Sequence, residues 1–239
     1  MIPGNRIAAI DNCRKNRDWQ GLVGFLSDPD KGIRRRAAKA MGEIGDVKAL
    51  PALMGATADQ DAWVRLDVIR SLGRLRAAVA FNVLVTSLHD ENIDVRMETL
   101  HTLGCTKDKR ATGPLVGALS DSHQEIRSGA AVALEQLGWT PPNDHERALF
   151  FMAKKEWAEL LTLNGFPVES AWESIGEREE YVRVHAIGVL GQTRDDRLAP
   201  VLLAAMGDPS RAVRLIAMGA YISLPSFNAT GCPDALRRV

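Results

Sequence analysis

Apolar residues recur along this chain in short blocks whose spacing fits pairs of helices. When the chain is aligned on six Val-Arg or Ile-Arg pairs, apolar side chains precede the arginines by twelve, eight and one positions and follow them by three and seven, with Thr57 and Thr99 as the polar exceptions. Spacings of four place side chains on one helix face, so each block predicts a first helix (helix A) and a second helix (helix B). The arginines of the six pairs are Arg34, Arg65, Arg96, Arg127, Arg183 and Arg214.

The blocks repeat with a fixed period. Successive arginines are 31, 31, 31, 56 and 31 residues apart. A period of this size is typical of proteins in which one helical hairpin stacks on the next and the hairpins share a continuous core. The pattern therefore predicts an all-α chain whose length sets the number of hairpins.

An acidic residue lies six positions before each arginine, between the two apolar blocks. Aspartate suits a turn at this point and can cap the helix that follows. Because a guanidinium group matches a carboxylate, we expect these acids and arginines to form a structural ladder along the stack, and not a metal or acid–base array. The acids are Asp28, Asp59, Asp90, Asp121, Glu177 and Asp208.

Glycine and proline mark the predicted ends of the helices. A glycine follows four of the arginines by eight positions, where a left-handed residue would end helix B. A proline precedes two arginines by fourteen positions, at the first turn of helix A, where a missing N–H costs little. The glycines are Gly42, Gly73, Gly104 and Gly191, and the prolines are Pro51 and Pro200.

These features resemble HEAT repeats, in particular the HEAT-like type named after phycobilisome lyases. The resemblance rests on the turn aspartate followed by Val-Arg, as in residues 90–96 and 208–214, and it extends from about residue 18 to 224. It implies a right-handed superhelical solenoid of about six to seven hairpins, with helices B on the concave side. The predicted single domain over 1–239 comprises regular repeats over 18–138, an irregular insert over 139–166, repeats over 167–224 and a C-terminal cap over 225–239.

The irregular insert explains the one long step between arginines. Gly138 and the prolines after it end a helix, and Asn143 or Asp144 can cap a new one over 145–154. Six of the thirteen aromatic residues lie between positions 139 and 172, five of them in the insert. The insert is a degenerate helical pair, a hinge or a docking site. Packing alone predicts that Phe151 and Trp157 are mostly buried, whereas a docking site would expose both.

Composition excludes several classes of protein. The chain has 30 basic and 30 acidic residues, which disfavours a nucleic acid or an acidic membrane as partner. No apolar run approaches the ~18 residues of a membrane span. The three cysteines form no CxxC pair and indicate a reducing compartment, so we expect a cytoplasmic protein.

The chain shows no recognisable catalytic motif, and its five histidines are not spaced for zinc. Deoxyhypusine hydroxylase, which has the same type of fold, holds two irons with repeated His-Glu pairs, and only His145-Glu146 matches. Alkylpurine DNA glycosylases of this fold have a basic groove that the neutral composition does not match. We therefore expect no enzyme, no metal and no cofactor. The resemblance leaves one alternative: a lyase-like or accessory subunit that acts on another protein's chromophore or cofactor.

Exposed positions on helices B carry the candidate binding residues. Residues two, five and nine positions after the arginine point away from the core, towards the concave groove. They are basic on balance in the first units and small and apolar in the last, which suits an acidic peptide or helix with an apolar end. We predict a protein-interaction scaffold, with partner identity and oligomeric state unspecified. The candidate binding residues are Arg36, Lys39, Asp67, Arg70, Arg74, Glu98, His101 and His185.

Overall fold

The computed structural model describes residues 3–75, 78–156 and 180–227, together with positions 159 and 176. Within these residues the regular structure is helical throughout and contains no strand. The chain is therefore all-α, as the period predicts. Numbered in chain order, its α-helices are α1 Pro3–Lys15, α2 Gln20–Val23, α3 Lys31–Ile44, α4 Leu50–Gly55, α5 Ala62–Arg74, α6 Phe81–Ser87, α7 Ile93–Thr106, α8 Thr112–Gly117, α9 Gln124–Gln136, α10 Asp144–Lys154, α11 Glu180–Thr193, α12 Ala199–Ala205 and α13 Arg211–Ile222.

The two helices of a hairpin differ in length and regularity. Helices B are continuous and run for 12 to 14 residues. Helices A are short, and tighter 3-10 turns extend them at one or both ends, a common way of closing a short helix. These turns are Gly24–Ser27, Val47–Ala49, Ala56–Ala58, Ala78–Ala80, Lys109–Ala111, Ala118–Ser120 and Asp196–Leu198.

Helix B begins at a polar cap that is built in two steps. The carboxylate of Asp59 accepts a hydrogen bond from the N–H of Asp61 (2.9 Å), and Asp61 in turn accepts one from the N–H of Trp63 (3.0 Å). The acid six positions before the arginine therefore closes the turn, and the residue two positions later caps the helix. This corrects the expected role of the acid as the cap. The same pairs occur at Asp28 and Asp30, Asp90 and Asn92, and Asp208 and Ser210.

The glycines eight positions after the arginines lie inside helices B, so the prediction that they end these helices is wrong. Each helix continues for at least one residue beyond its glycine. The left-handed residue that ends α3 is Gly45, with φ of 74°, and the one that ends α7 is Lys107, with φ of 55°. The glycines concerned are Gly42, Gly73, Gly104 and Gly191.

These internal glycines allow neighbouring B helices to approach closely. A Cβ atom added to Gly42 would lie 2.9 Å from the Cα atom of Ser71 on the next B helix. One added to Gly191 would lie 2.5 Å from the Cβ atom of Ala220. Because real Cβ atoms do not approach other atoms so closely, the glycine positions are required by packing and not by helix termination.

The chain divides into two compact units. The first comprises Met1–Ala118 and Val132–Trp139. In this unit, each of the A helices α2, α4 and α6 packs on the B helix that follows it. The B helices also pack on their neighbours: α3 contacts α1 and α5, and α5 contacts α7. These contacts confirm the predicted hairpins in this unit. The largest fully buried side chains in it include Leu22, Met41, Leu53, Ile69, Leu72, Leu84, Leu100, Leu103, Leu115 and Leu134.

The second unit comprises Leu119–Ala131 and Thr140–Val239. In the described part of this unit, α12 and α13 pack together as a helical hairpin, and α13 also packs against α11, the preceding B helix. The start of α9 is tied to the end of α10, because Gln124 and Ser128 both donate hydrogen bonds to the carbonyl oxygen of Ala153 (2.9 and 2.7 Å). The single-domain organisation over 1–239, with its repeat, insert and cap boundaries, stays a prediction.

The irregular insert is described in its first half. Helix α10 follows the cap Asn143, whose side chain accepts a hydrogen bond from the N–H of Glu146 (2.9 Å), and this confirms the helix predicted over 145–154. Phe151 is half-buried and packs on the core of the second unit. Trp157 lies outside the described residues, as do Glu177 and positions 228–239 of the predicted cap. The choice between a degenerate pair, a hinge and a docking site stays open.

Candidate functional site

Arginine side chains join successive turns along the repeats. Nε and Nη2 of Arg34 donate to the two carboxylate oxygens of Asp59 (2.6 and 2.9 Å), which belongs to the next hairpin. Nη1 of Arg34 donates to the carbonyl oxygen of Asp28 in its own turn (2.9 Å). The guanidinium group thus ties two turns together through one planar set of donors.

This arrangement, which we term a rung, recurs in both units. Arg65 pairs with Asp90 (2.7 Å for both bonds) and donates to the carbonyl oxygen of Asp59 (2.8 Å). Arg183 pairs with Asp208 (2.7 and 3.0 Å) in the second unit. The remaining predicted ladder arginines each donate to the carbonyl oxygen of the turn acid in their own hairpin, namely Arg96 to Asp90, Arg127 to Asp121 and Arg214 to Asp208.

One further arginine–aspartate pair involves an arginine that lies outside the 31-residue period. Arg6 of α1 donates to the carboxylate of Asp28 (2.6 Å), and both side chains are largely buried. Sequence analysis did not find this residue, because it precedes Arg34 by 28 positions and not by 31. The N-terminal helix therefore supplies the partner that the first turn acid would otherwise lack.

The rungs are charged pairs that the fold stabilises. Burial raises the pKa of Asp90, but hydrogen bonds from Arg65 and from the N–H of Asn92 lower it further, so the net pKa lies below its usual value. The pKa of Asp208 is lowered by the same balance of causes. Hydrogen bonding to Asp90 raises the pKa of Arg65. In a largely buried pair of this kind, the loss of one member would leave the charge of the other uncompensated.

A furrow runs between α5 and α7 in the first unit. Its first depression has a volume of about 420 Å³ and its second about 360 Å³. Arg70, Glu98 and His101 line both, so the two depressions form one continuous feature, which we call the α5–α7 furrow. The other lining residues are Arg35, Trp63, Leu66, Asp94 and Met97 in the first depression and Gly73, Arg74, Thr102 and Cys105 in the second.

Trp63 presents an aromatic ring at one end of this furrow. Its side chain is 50% exposed although it belongs to a helix that is otherwise well packed. The guanidinium carbon of Arg35 lies 5.5 Å from the ring centroid, within range of a cation–π interaction. Met97 is exposed on the facing helix and adds a second apolar surface. The first depression therefore combines apolar contact area with cationic groups.

An ion pair crosses the middle of the furrow. Nη2 and Nε of Arg70 both donate to Oε2 of Glu98 (2.7 and 3.2 Å). The Arg70 side chain is 44% exposed and that of Glu98 is 16% exposed. The hydrogen bond to Glu98 is the main cause that raises the pKa of Arg70. Arg70 thus donates to one oxygen of its partner carboxylate, unlike the arginines of the rungs, and its Nη1 atom lies 3.9 Å from Oδ1 of Asp67.

Asp67 does not lie on the open surface, which corrects its prediction as a groove residue. It is fully buried beneath side chains of the preceding B helix. Nε of Arg35 donates to its Oδ2 atom (2.8 Å), and Nζ of Lys39 lies 3.5 Å from Oδ1. The position of Asp67 on its own helix is outward, but long side chains from α3 cover it. Asp67 therefore holds cations in place and cannot contact a partner directly.

The other predicted binding residues divide between the two units. Arg74 and His101 line the furrow, and Arg36 and Lys39 are exposed on α3. His185 lies on α11 in the second unit, where its Nδ1 atom is 2.7 Å from the carbonyl oxygen of Tyr181. The structure thus brings Arg70, Arg74, Glu98 and His101 together in the furrow.

Five lining residues of the first depression were missed by the sequence analysis: Arg35, Trp63, Leu66, Asp94 and Met97. They occupy positions two before and one after the repeat arginine. Each such position lies four before a predicted groove position, and therefore on the same helix face. The outward face of helix B is therefore wider than the three predicted positions. Trp63, a large apolar residue at an outward position, is visible in the sequence.

The described residues contain no group of three or more His, Cys, Asp or Glu side chains arranged to hold a metal ion. Sγ of Cys105 lies 3.7 Å from Nε2 of His101, and both side chains are exposed. None of the described helices combines the length and the apolar character that crossing a membrane requires. The residues that line the furrow offer apolar contact, hydrogen bonding and charge.

Stacked helical hairpins joined by arginine–aspartate rungs define an α-helical repeat protein. The family of HEAT repeats matches residues 19–103 and 81–152, which together cover more than half of the chain. The chain belongs to this HEAT-repeat family. A comparison with curated proteins gave no match.

Several solved structures are similar in fold. The CpcE–CpcF complex of phycocyanin lyase from Nostoc sp. is 20% identical, with a TM-score of 0.49, and the match covers 98% of this chain and 85% of that one. Human deoxyhypusine hydroxylase is 20% identical, with a TM-score of 0.47 and coverage of 96% and 95%. An archaeal HEAT-like repeat protein from Thermococcus onnurineus is 14% identical, with a TM-score of 0.40 and coverage of 91% of both chains.

Proposed function

We propose that this chain is a non-enzymatic scaffold that binds a segment of a partner protein in the α5–α7 furrow. The observation that carries the proposal is the half-exposed Trp63, which stands beside Met97 and Arg35 in a cleft. Tryptophan and arginine are the residues most enriched where interfaces gain their binding energy. Exposing such a ring to water is unfavourable, and a partner's apolar side chain would cover it.

The dimensions of the furrow suit a short stretch of chain. Helix α5 has 13 residues, which corresponds to about 20 Å at a rise of ~1.5 Å per residue. About six residues of extended chain span that distance. We therefore propose recognition of a linear segment, in the manner of grooves that bind peptides through a few anchor side chains.

The variation between hairpins supports recognition at this surface. The rung residues are the same in successive hairpins, whereas the residue five positions after the arginine is Lys39, Arg70 or His101 in the first three. Stacking explains a constant row but not a variable one. We place specificity in the variable row. The described cysteines, Cys13 and Cys105, are free thiols, which accords with the cytoplasmic location we propose.

Site-specific photocrosslinking tests this proposal. A photoreactive residue at Met97 reports on the furrow, and one at Val79, which is 75% exposed but does not line the furrow, is the matched control. In the native host we expect one predominant protein to crosslink from Met97 and not from Val79. Trp63→Ala should abolish that crosslink, since it removes the anchor while altering a side chain that is only half-buried.

Some outcomes would contradict the furrow as the binding site, and another would contradict the scaffold function. Crosslinking of the same proteins from both positions, or crosslinking at Met97 that is unaffected by Trp63→Ala, would remove the furrow as the binding site. A pigment or a metal ion that copurifies in stoichiometric amount would favour the alternative, an accessory subunit acting on another protein's cofactor. Absorbance spectra and elemental analysis of the purified chain measure both.

A further inference from the structure

The Arg70–Glu98 pair stands at the one place in the furrow that a bound segment must pass. Both residues line the first depression and the second, and their ion pair bridges α5 to α7. A chain segment that occupies the furrow along its length therefore meets this pair. The segment has to leave the pair intact and bend around it, or replace one of its members.

Replacing Glu98 should cost less free energy than bending around the intact pair. Arg70 donates to a single oxygen of Glu98, and its Nη1 atom lies 3.9 Å from Oδ1 of buried Asp67. The Arg70 side chain nevertheless remains 44% exposed, so a further acceptor can reach it. The Arg70 end of the pair is open to solvent, and breaking an ion pair at the surface changes an equilibrium by only about two- to fivefold. A carboxylate from a ligand could take the place of Glu98 and restore the same hydrogen bonds.

The surrounding charges favour an acidic ligand. Arg74 follows Arg70 by one turn on the same face of α5, it is exposed, and it forms no ion pair with any described residue. Arg35 remains beside Trp63 because buried Asp67 holds it. The second depression therefore carries two cations of α5, Arg70 and Arg74, against the single carboxylate of Glu98, whereas Asp94 adds a carboxylate to the first depression. Charge complementarity in the second depression would select a negative side chain.

We infer that the bound segment is acidic: a carboxylate of the partner replaces Glu98 on Arg70, while a neighbouring apolar side chain packs on Trp63 and Met97. The inference rests on the proposed function and specifies its ligand. Glu98 then acts as an internal competitor that keeps Arg70 aligned in the free protein. Trp63 and Arg70 are seven residues apart on α5, or about 10 Å, so the apolar and acidic side chains lie about three residues apart in the partner.

Synthetic peptides test the inference on the full chain. The probe is a fluorescein-labelled peptide of about seven residues in which phenylalanine precedes glutamate by three positions, made in both chain directions. Matched peptides carry glutamine in place of glutamate, or serine in place of phenylalanine. Fluorescence anisotropy measures their dissociation constants. We expect the glutamate peptide to bind more tightly than either matched peptide.

Variants of the chain then identify the exchange. Glu98→Gln keeps the shape of the side chain but weakens its hold on Arg70, so affinity for the glutamate peptide should rise by about two- to fivefold and affinity for the glutamine peptide should not. Arg70→Gln should lower affinity for the glutamate peptide alone. Glu91→Gln is the control, because Glu91 is 85% exposed beside Arg65, outside the furrow, and its substitution removes the same charge.

The outcomes separate this inference from the proposed function. If the glutamate peptide binds no better than the glutamine peptide, or if Glu98→Gln and Glu91→Gln act alike, the carboxylate exchange is refuted. Trp63-dependent crosslinking from Met97 would then still support a scaffold with another specificity. Thermal melts of each variant confirm that a change in affinity does not arise from unfolding.

Discussion

Two arginines on helix α5 have different tasks, although they are five residues apart. Arg65 is 9% exposed in its side chain, makes two hydrogen bonds to the carboxylate of Asp90 and a third to a backbone carbonyl oxygen. Arg70 is 44% exposed and meets one oxygen of Glu98. The same side chain on the same helix thus joins two turns in one position, and in the other it is open to solvent, where we propose that it binds a partner.

The difference follows from how each position repeats. The Arg65 position is arginine in every hairpin, and the turn acid that it reaches also recurs. The Arg70 position changes from hairpin to hairpin. We interpret the repeated residues as those that stack one hairpin on the next, and we propose that the variable ones contact a partner. If both arginines contribute equally to stability, or equally to binding, they do not have different roles.

The largest expected effect is the loss of a rung. Arg65→Ala leaves the carboxylate of Asp90 buried without its guanidinium partner and removes the bond to the Asp59 carbonyl oxygen. Breaking a buried pair by removing one member costs about 3 kcal/mol, because an uncompensated charge stays inside. Urea denaturation followed by circular dichroism measures the free energy of unfolding. A loss below about 0.5 kcal/mol would show that the rung is not structural.

A double variant sharpens this result. Arg65→Met combined with Asp90→Leu removes both charges and leaves apolar side chains of similar size. We expect it to be more stable than Arg65→Ala, since no charge is stranded. Equal destabilisation in the two variants would mean that the lost packing, and not the stranded carboxylate, sets the cost.

A smaller effect is expected from the close approach of B helices. Gly191→Ala places a Cβ atom 2.5 Å from that of Ala220, and such overpacking costs about 1–3 kcal/mol. Gly219→Ala in the same unit is the matched control, because open space surrounds that position. Removing a helical glycine there should stabilise the chain by about 0.5–1 kcal/mol. Equal changes at both positions would refute a packing role for the glycine row.

Local regularities of the sequence predicted most of the fold. The 31-residue period and the spacings of four identified the hairpins, since helix periodicity and turn chemistry act over a few residues. The glycine row was misread because Gly42 and Gly191 serve a contact between helices far apart in sequence, where a left-handed helix end was expected. The spacing of one hairpin carries no information about that contact.

The candidate site was predicted less completely for the same reason. Asp67 points outward on its own helix, yet Arg35 and Lys39 of α3 cover it. Whether an outward residue is exposed depends on the length and direction of side chains from the neighbouring helix. A helical projection also treats each helix alone, so it did not show that Trp63 and Met97 face one another across a furrow.

The rungs should also make stability depend on pH. The pKa of Asp90 is lowered in the folded chain, so the pair stabilises the fold above the unfolded value of about 3.9 and loses that contribution as the pH falls through the folded value. The stability difference between the native chain and Asp90→Asn should therefore shrink between pH 6 and pH 3. Urea denaturation at each pH measures it. A difference that stays constant over this range would contradict the assignment.

The smallest effect on stability is expected from the Arg70–Glu98 pair in the furrow, and its size separates this pair from the Arg65–Asp90 rung. Arg70 is open to solvent and meets one oxygen of Glu98, so the coupling energy of the two residues in a double-mutant cycle should be about 0.2–1 kcal/mol, well below that of Arg65 and Asp90. Arg70→Gln should nevertheless abolish the preference for an acidic peptide, which Arg65 cannot affect directly from its buried position. A coupling as large as that of the rung would make the pair another structural link, because a carboxylate held so firmly could not be displaced by a ligand.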